Sequence, residues 1–360
     1  MTKTHPPYAA ARQDSTLVNV TQLAEFDEVI DVRSESEFAE DHIPGALSCP
    51  VLSDAERARV GTIYKQESAF DAKKIGAALV SRNIARHLET KFADRPRSWR
   101  PLVYCWRGGS RSGALAHVLQ QVGWRAGRLD GGYKAYRRAV IADLDERPPQ
   151  FRWRVICGLT GSGKSRLLRA LAQRGSQVLD LEALAAHRGS VLGDLPGAPQ
   201  PSQKMFESRV WAELRKFDAA QPVWVEAESK KIGSVRVPEA LIASMWNGEC
   251  IRLEASVALR VAMLTDEYQH FVSDPALLGA QLDCLVAHYG QDRIGAWKRL
   301  AATGDWDALV RELLENHYDP AYTRSTLKHY PHHADGMRLT VTADSDTAFE
   351  ELAAQCLKKT

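Results

Sequence analysis

Residues 152–165 read RWRVICGLTGSGKS and join an apolar strand to a glycine-rich loop. The loop, Gly158–Ser165, satisfies the P-loop pattern, which requires a strand before it and a helix after it. Backbone N–H groups of such a loop wrap phosphates, Lys164 reaches the outer oxygens, and the Ser165 hydroxyl is a possible ligand for Mg²⁺. We therefore predict a phosphate-binding site made of Gly158, Thr160, Gly161, Ser162, Gly163, Lys164 and Ser165.

Polar residues follow the next two predicted strands, SQVLDL and PVWVEA. Asp180 ends the first, and Glu226 and Glu228 end the second, where P-loop folds often place an acid that positions a metal or water. The alternative is that these acids cap helices or pair with surface lysines such as Lys230. Arg188 is either a phosphate clamp or a surface residue. We treat these acids and Arg188 as candidate neighbours of the phosphate site.

A second strand and loop occur earlier, in PLVYCWRGGSRSG at residues 101–113. Loop N–H groups and the N-terminus of the following helix would stabilise a thiolate at Cys105, and nearby arginines would reinforce that effect. We expect Cys105 to face solvent; the alternative is a buried cysteine at a strand end. The candidate catalytic residues are Cys105, Arg107, Gly108, Gly109 and Arg111.

The chemistry of this loop stays open from the residues alone. In one interpretation Cys105 carries sulfur or selenium as a persulfide-type adduct. In the other it attacks a phosphoryl group while Arg111 holds the oxygens, as in cysteine-dependent phosphatases. Both need the same thiolate environment.

Strand and helix patterns alternate in both halves of the chain, which indicates an α/β protein with two parallel sheets. The charged stretch LDERPPQFR contains Pro148 and Pro149 and marks the expected boundary. We predict an N-terminal domain over residues 1–145 and a doubly wound P-loop NTPase-like domain over residues 146–360. A helical insertion is predicted at about residues 273–327.

Composition excludes several classes of protein. The six cysteines form no CxxC pair, so no zinc site is expected and most should be buried apolar residues. No run approaches the roughly 20 apolar residues of a membrane helix. The polar start MTKTHPPYAA lacks the apolar stretch of a signal peptide. We therefore expect a cytoplasmic protein without a membrane partner.

The first half resembles rhodanese-like domains. The similarity lies in the cysteine loop, in residues 31–33 (DVR), 37–38 (EF) and 42–46 (HIPGA), and in residues 131–133 (GGY). In such domains residues like Asp31, Arg33 and His42 tie strand ends to loops and are not catalytic. The resemblance implies a rhodanese-like fold for residues 1–145.

The order of a rhodanese-like domain and a P-loop domain resembles the tRNA 2-selenouridine synthases. The matching segments span nearly the full chain: ERARVGTIYKQ, YCWRGGSRSG, LDGGYKAYR, GLTGSGKS, DLEALAAHRGS, QPSQKMFES, VWVEAESKKIG and NHYDPAY. The resemblance implies a transferase that replaces sulfur by selenium at the 2-position of wobble 2-thiouridine in tRNA. It implies selenophosphate as donor, geranylation from geranyl diphosphate as an activating step, and a selenophosphate-producing enzyme as a possible partner.

Other functions remain compatible with the residues. They are an NTP-dependent kinase or ATPase fused to a sulfurtransferase, a cysteine-dependent phosphatase, and an RNA-binding scaffold without activity. A net charge of +2 does not decide for or against RNA. The basic clusters we assign to an RNA groove are ERARVGTIYKQ, DAKKIGAALVSRNIARH, and Arg97, Arg100 and Arg107, with Tyr64 and Trp99 as aromatic neighbours.

Overall fold

The computed structural model describes residues 17–358, apart from the side chains of residues 325–327. The chain divides into two compact units between Ile141 and Ala142, inside a helix. The polar segment 1–10, on which we based the expected lack of a signal peptide, lies outside the described residues. Within residues 17–358, no helix combines the length and apolar character needed to cross a membrane.

The first unit contains a five-stranded parallel sheet with the order β1-β5-β4-β2-β3. Its strands are β1 (Leu17–Val18), β2 (Glu28–Asp31), β3 (Leu47–Ser48), β4 (Pro101–Tyr104) and β5 (Gly127–Leu129). Its helices are α1 (Glu35–Glu40), α2 (Asp54–Gln66), α3 (Ala69–Thr90), α4 (Ser110–Val122) and α5 (Gly132–Glu146), preceded by a 3₁₀ turn at Val20–Glu25. The predicted parallel sheet is confirmed.

Strand β4 forms the centre of this unit, and all of its residues are buried. Parallel strands covered on both faces are continuously apolar, which explains the run PLVY. Cys105 directly follows β4, and α4 begins at Ser110, so the glycine-rich loop joins the carboxyl end of the central strand to a helix N-terminus. The fold therefore places the cysteine loop at the edge where ligands of open α/β sheets bind.

The second unit contains another five-stranded parallel sheet, with the order β12-β11-β6-β8-β7. Its strands are β6 (Arg152–Cys157), β7 (Gln177–Leu179), β8 (Pro222–Glu226), β11 (Glu249–Glu254) and β12 (Met337–Thr340). The helices outside the β11–β12 connection are α6 (Lys164–Gln173), α7 (Leu181–Ala185), α8 (Gln203–Leu214), α9 (Glu239–Trp246) and α16 (Asp346–Lys358). A 3₁₀ turn at Pro148–Gln150 precedes β6, and a short antiparallel pair, β9 (Lys231–Ile232) and β10 (Val235–Arg236), was not predicted.

The connection between β11 and β12 is helical, as predicted. It contains α10 (Val257–Glu267), α11 (Gln269–Ser273), α12 (Pro275–Leu282), α13 (Val286–Thr303), α14 (Trp306–Leu313) and α15 (Asp319–His329), with a 3₁₀ turn at Asp283–Leu285 and a π-helical turn at Leu314–Tyr318. The helices begin earlier than expected because the Ser256 hydroxyl accepts the Leu259 N–H and caps α10. This helical region has its own apolar core, which includes Phe271, Leu282 and Trp297.

Candidate functional site

The cysteine loop is held against the start of α5. The Tyr133 N–H donates to the Cys105 carbonyl at 2.8 Å, and the Lys134 N–H donates to the Trp106 carbonyl at 3.1 Å. Gly108 has φ +65°, and a Cβ there would lie 2.7 Å from the Leu129 carbonyl oxygen. A side chain at this position would therefore disrupt the loop. The segment GGY, which carried part of the rhodanese resemblance, thus supports the cysteine loop directly.

Cys105 is buried, with only 3% of its surface exposed. Its Sγ lies 3.2 Å from the Ser112 Oγ, and the Ser112 hydroxyl also donates to the Gly109 carbonyl at 3.2 Å. The expectation that Cys105 faces solvent is wrong, because its side chain belongs to an apolar cluster with residues such as Val103 and Leu115. The thiol lies beneath the first turn of α4, whose N–H groups have no helical acceptor.

The two arginines of the loop differ in their surroundings. Arg111 donates to the Glu37 carboxylate at 3.0 Å, and Arg57 pairs with the same carboxylate at 3.3 Å. Burial raises the pKa of Glu37, but the hydrogen bond and charge of Arg111 outweigh it, and the pKa is lowered. Arg107 is exposed, as is Gly109. Arg111 is therefore bound to Glu37, a residue that sequence reasoning did not assign to the site.

Asp31, Arg33 and His42 tie strand ends to loops, as the rhodanese resemblance implied. Arg33 is 1% exposed; it pairs with Asp31 at 2.6 Å and donates to the Asp41 carbonyl at 2.6 Å. His42 Nδ1 lies 2.8 Å from the Phe38 carbonyl oxygen. These contacts fix the segment that carries Glu37, and so they determine where Arg111 is held.

The phosphate loop has the predicted strand–loop–helix setting, between β6 and α6. Gly161 and Gly163 have φ values of +77° and +85°, and a Cβ on Gly163 would lie 2.4 Å from the Phe349 ring. Lys164 Nζ donates to the Gly158 carbonyl at 3.1 Å. The conformation therefore requires glycine at these positions and keeps the Lys164 ammonium over the loop.

A cavity of about 410 Å³ adjoins this loop. We call it the phosphate-loop cavity. Its walls include much of the predicted site, namely Thr160, Gly161, Gly163, Lys164, Ser165, Arg188, Glu226 and Glu228. Gly158 and Ser162 instead line a separate cavity of about 310 Å³. Ser162 is 1% exposed, and its Oγ has no hydrogen-bond partner within residues 17–358.

Three carboxylates converge in the phosphate-loop cavity: Glu182, Glu226 and Glu228. One oxygen from each lies within 4.8 Å of the others. Burial raises the pKa of all three carboxyls, that of Glu228 to about 8, and the charge of Lys164 opposes this rise. The charge of Glu226 further raises the pKa of Glu182 and of Glu228, whereas the charges of Asp180 and Glu267 further raise that of Glu226. Lys230 instead pairs with Glu239 at 2.8 Å, and in residues 17–358 no ion pair joins Lys230 to Glu226 or Glu228.

Glu182 lines the phosphate-loop cavity, whereas Asp180, the predicted neighbour of the phosphate site, does not. The Asp180 side chain accepts the Ala183 N–H at 2.8 Å and caps α7, so it is a cap and is absent from the cavity wall among the described residues. Glu182, which sequence reasoning missed, reaches the cavity instead. The available signal was its position in DLE, directly after a strand that neighbours β8.

Arg188 lies in the cavity wall, and only 24% of its side chain is exposed. Its Nε lies 3.5 Å from Glu267, and its guanidinium lies over the Tyr268 ring at 4.5 Å. Its Nη1 is buried and has no hydrogen-bond partner in the described part of the chain. Arg188 is therefore not a fully exposed surface residue, and its role as a phosphate clamp stays a prediction.

An apolar pocket of about 60 Å³ adjoins the phosphate-loop cavity, and both are lined by Thr160, Ser190, Leu264, Tyr268 and Tyr318. Its remaining lining is almost entirely apolar and comes mostly from the helical region, for example Phe271, Leu278, Trp306, Leu309, Val310 and Leu313. The P-loop unit therefore combines the phosphate-loop cavity, which has polar and charged walls in part, with an adjoining apolar pocket.

Comparisons with known proteins agree with this arrangement. Residues 16–139 match the rhodanese-like domain model, and residues 151–279 match the model of the tRNA 2-selenouridine synthase AAA domain. The tRNA 2-selenouridine synthase of Salmonella enteritidis is 35% identical, with 82% of this chain and 87% of the relative covered. The chain belongs to the tRNA 2-selenouridine synthase family.

Two further matches cover less of the chain. The tRNA 2-selenouridine synthase of Nitrosomonas europaea is 37% identical, over 67% of this chain and 63% of the relative's length. A crystal structure of an N-terminal domain from Clostridium difficile 630 is 36% identical, covers 35% of this chain and 98% of that chain, and has a TM-score of 0.31. The matches to the two family models identify the first unit as a rhodanese domain and the second as an AAA domain with a helical region.

The basic clusters predicted to form an RNA groove are partly exposed. Lys73, Lys74, Arg82 and Arg86 of α3 are all exposed, and Tyr64 is 58% exposed. Trp99 is only 4% exposed, so its assignment as an aromatic neighbour of an RNA groove is wrong. It packs between Phe92 and Trp124 in the interior of the first unit.

Proposed function

We propose that the protein replaces sulfur by selenium at the 2-position of wobble 2-thiouridine in tRNA, with selenophosphate as the selenium donor. The observation that carries this proposal is the presence, on a chain of the selenouridine synthase family, of a cysteine at a helix N-terminus and a P-loop cavity with an apolar extension. A separate selenophosphate-producing enzyme would supply the donor.

Cys105 is the proposed selenium carrier. Unpaired N–H groups of the first turn of α4 favour negative charge on sulfur or selenium at this position. The neighbouring Ser112 hydroxyl lies 3.2 Å from Sγ, and by rotating away from the Gly109 carbonyl it can donate its hydrogen bond to that charge. Because the thiol is buried, the loop from Trp106 to Gly109 would have to change conformation for selenophosphate to reach Sγ.

The AAA domain is proposed to bind geranyl diphosphate. Its diphosphate would lie against the loop N–H groups, Lys164 and Arg188, and its prenyl chain would lie in the apolar pocket. The thiouridine sulfur would attack the allylic carbon, the carbon–oxygen bond would break, and diphosphate would leave with its charge stabilised by Lys164. Attack of water on the phosphorus of selenophosphate would break the P–Se bond and leave phosphate and hydroselenide, without a change in oxidation state. The hydroselenide would then attack C2 of the base, and the geranylated sulfur would leave as the thiolate.

The contact of Arg111 with Glu37 weighs against a cysteine-dependent phosphatase. That reaction needs an arginine whose guanidinium holds the phosphoryl oxygens. Here the guanidinium already binds a carboxylate that is 10% exposed. A kinase or ATPase is the second candidate, because acids beside the P-loop suit nucleotide chemistry as well.

Nucleoside analysis tests the proposal and separates these candidates. In cells whose only copy is Lys164→Ala, tRNA should contain unmodified 2-thiouridine, because prenyl transfer fails. In cells with Cys105→Ala, the geranylated intermediate should accumulate. Purified wild-type protein should bind geranyl diphosphate more tightly than ATP. The assignment of prenyl transfer to the AAA domain and of selenium incorporation to Cys105 would be contradicted by 2-selenouridine in the tRNA of either strain. It would also be contradicted if Lys164→Ala lost affinity for ATP but kept its affinity for geranyl diphosphate.

A further inference from the structure

We infer, on the basis of the proposed function, that Trp106 is the stacking platform for the base of the target nucleoside in tRNA. The exposed side chains of Arg107 and Lys134 are assigned to the phosphates that flank this nucleoside. Trp106 directly follows Cys105, the proposed selenium carrier, so a base stacked on the indole would lie next to the cysteine loop. Neither Trp106 nor Lys134 belongs to the basic and aromatic clusters that we first assigned to an RNA groove.

The indole of Trp106 is both exposed and firmly supported. It is 37% exposed, whereas every other tryptophan of residues 17–358 is buried or half-buried. Its ring stacks on that of Tyr133, with the centroids 5.2 Å apart and an interplanar angle of 26°. The Tyr133 hydroxyl donates to Asp41 at 2.8 Å, and the Arg33 guanidinium lies 4.0 Å from the centre of the Tyr133 ring. One face of the indole is thus held in place, and the exposed area offers the opposite face to a planar ligand.

The charges around this ring suit a phosphate backbone. The Lys134 N–H donates to the Trp106 carbonyl at 3.1 Å, which holds the start of α5 beside the loop. Arg107 and Lys134 are exposed, and neither makes an ion pair within the described residues. The two segments involved, residues 105–111 and 130–138, together contain five basic residues and one acid, Asp130. The surface beside Trp106 is therefore positively charged.

The chemistry of the reaction favours a nucleobase as the ligand of this ring. An enzyme that acts on a base has to take that base out of the stack of its neighbours, and an aromatic side chain replaces part of the lost stacking. Basic residues beside an aromatic ring are typical of sites for single-stranded nucleic acid, because the cations hold the phosphates while the ring holds the base. The wobble nucleoside lies in the single-stranded anticodon loop, so it meets this requirement.

Two RNA stem–loops test the platform. One carries 2-thiouridine at the wobble position, and the other carries an abasic site there. The wild-type protein should bind the first at least about fivefold more tightly, the low end of the loss when a stacked base and its aromatic partner are separated. Trp106→Ala and Trp106→Leu should bind both RNAs with the same, weaker affinity. Trp106→Phe should keep most of the difference, because a phenyl ring also stacks. Fluorescence anisotropy of labelled RNA measures each affinity.

Control variants separate the base from the phosphates. Arg107→Gln and Lys134→Gln should weaken binding of both RNAs equally and reduce the slope of log affinity against log salt by about 0.7 for each lost phosphate contact. Val122→Ala, at an exposed apolar position of the same unit, should change neither affinity. Thermal midpoints show that the variants are folded. Trp106→Leu and Trp106→Phe both keep an apolar side chain against Tyr133, so their comparison isolates stacking on the base.

Trp106 is not the platform if Trp106→Leu prefers the thiouridine RNA as strongly as the wild type does, or if the wild type binds the two RNAs equally. A preference that is lost in Trp106→Leu and kept in Trp106→Phe supports the platform whatever the reaction is. If that preference is found but tRNA from cells with the wild-type protein contains no 2-selenouridine, the proposed function is contradicted and the base site is not.

Discussion

Arg260 donates a hydrogen bond through Nε to the carbonyl oxygen of Thr160 at 2.9 Å, and so links α10 to the phosphate loop. The same guanidinium pairs with both carboxylate oxygens of Asp319, at 2.9 and 2.5 Å. Arg260 is 1% exposed, so its charge is compensated inside the protein. The start and the end of the helical region therefore both hold the loop that is proposed to bind phosphate.

Replacing Asp319 should destabilise the AAA domain strongly. Asp319→Asn leaves the buried Arg260 charge without a counterion, and removing one partner of a buried pair costs about 3–5 kcal/mol. We expect the low end, about 3 kcal/mol, because 24% of the Asp319 side chain is exposed. Urea unfolding measures the change. Asp283→Asn removes an exposed pair with Lys298 in the same region and should cost at most about 1 kcal/mol. Equal costs for the two variants would contradict the prediction.

Cys105 and Cys49 form a matched pair of buried cysteines in one apolar cluster. Cys105→Ala should stop selenium incorporation while lowering stability by only about 1 kcal/mol. Cys49→Ala should retain activity, because burial raises the pKa of the Cys49 thiol to about 12 and keeps it protonated. Selenium in tRNA and the unfolding midpoint are measured for both variants. A Cys49→Ala protein that is folded but inactive would contradict the prediction that Cys105 is the sole selenium carrier.

Glu37 should contribute to stability only when it is ionised. Its pKa lies below the ordinary 4.5, so its carboxylate stabilises the fold above that pH and this contribution is lost as the pH falls through the lowered value. Glu37→Gln should therefore be clearly less stable than the wild type at neutral pH, and the difference should shrink in acid. Thermal midpoints across pH test this, with the exposed Glu89→Gln as control. A difference that does not change with pH would show that the interaction with Arg111 is not electrostatic.

The apolar pocket should determine affinity for the prenyl chain and not for the diphosphate. Val310 is a half-buried residue of its wall, and Val310→Asp places a charge beside the chain. We expect geranyl diphosphate affinity to fall at least about tenfold, the equivalent of about two buried CH₂ groups. Affinity for inorganic diphosphate should stay the same. Calorimetric titration measures both, and Val122→Asp, at a 55% exposed position of the first unit, is the control. Equal losses for both ligands would mean that the pocket does not hold the chain.

Binding of tRNA should fall steeply with salt, because Lys and Arg side chains that neutralise phosphates release counterions. Reversing the exposed charges at Lys73 and Arg82 should weaken binding and reduce the slope of log affinity against log salt by roughly 0.7–0.9 for each phosphate that is no longer neutralised. Filter binding across a salt series measures both effects. Lys216→Glu, an exposed change in the AAA domain, should leave the slope unaltered. Affinity that is flat with salt would exclude α3 as part of the RNA surface.

Local sequence pattern was enough to predict the two parallel sheets, the order of the two units and the positions of both loops. A buried parallel strand is a short apolar run, as in PLVY, and a tight loop at positive φ needs glycine, as at Gly161 and Gly163. The helical region was also predicted, because its periodicity extends over many turns. Each of these features depends on residues that are close together in the chain.

Which side chains meet depended instead on tertiary packing. Asp180 and Glu182 are neighbours in one segment, yet Asp180 caps α7 whereas Glu182 meets Glu226 and Glu228 at the end of β8. The order of the strands in the sheet decides which strand ends lie side by side. Burial likewise depends on packing by residues that are distant in the chain. For this reason Cys105 and Trp99 are buried although their sequence positions suggested exposure to solvent. Arg111 pairs with Glu37, and the apolar pocket forms beside the phosphate loop, through contacts between residues that are far apart in the chain. Such contacts produce no periodic pattern in the sequence, so they could not be predicted from it.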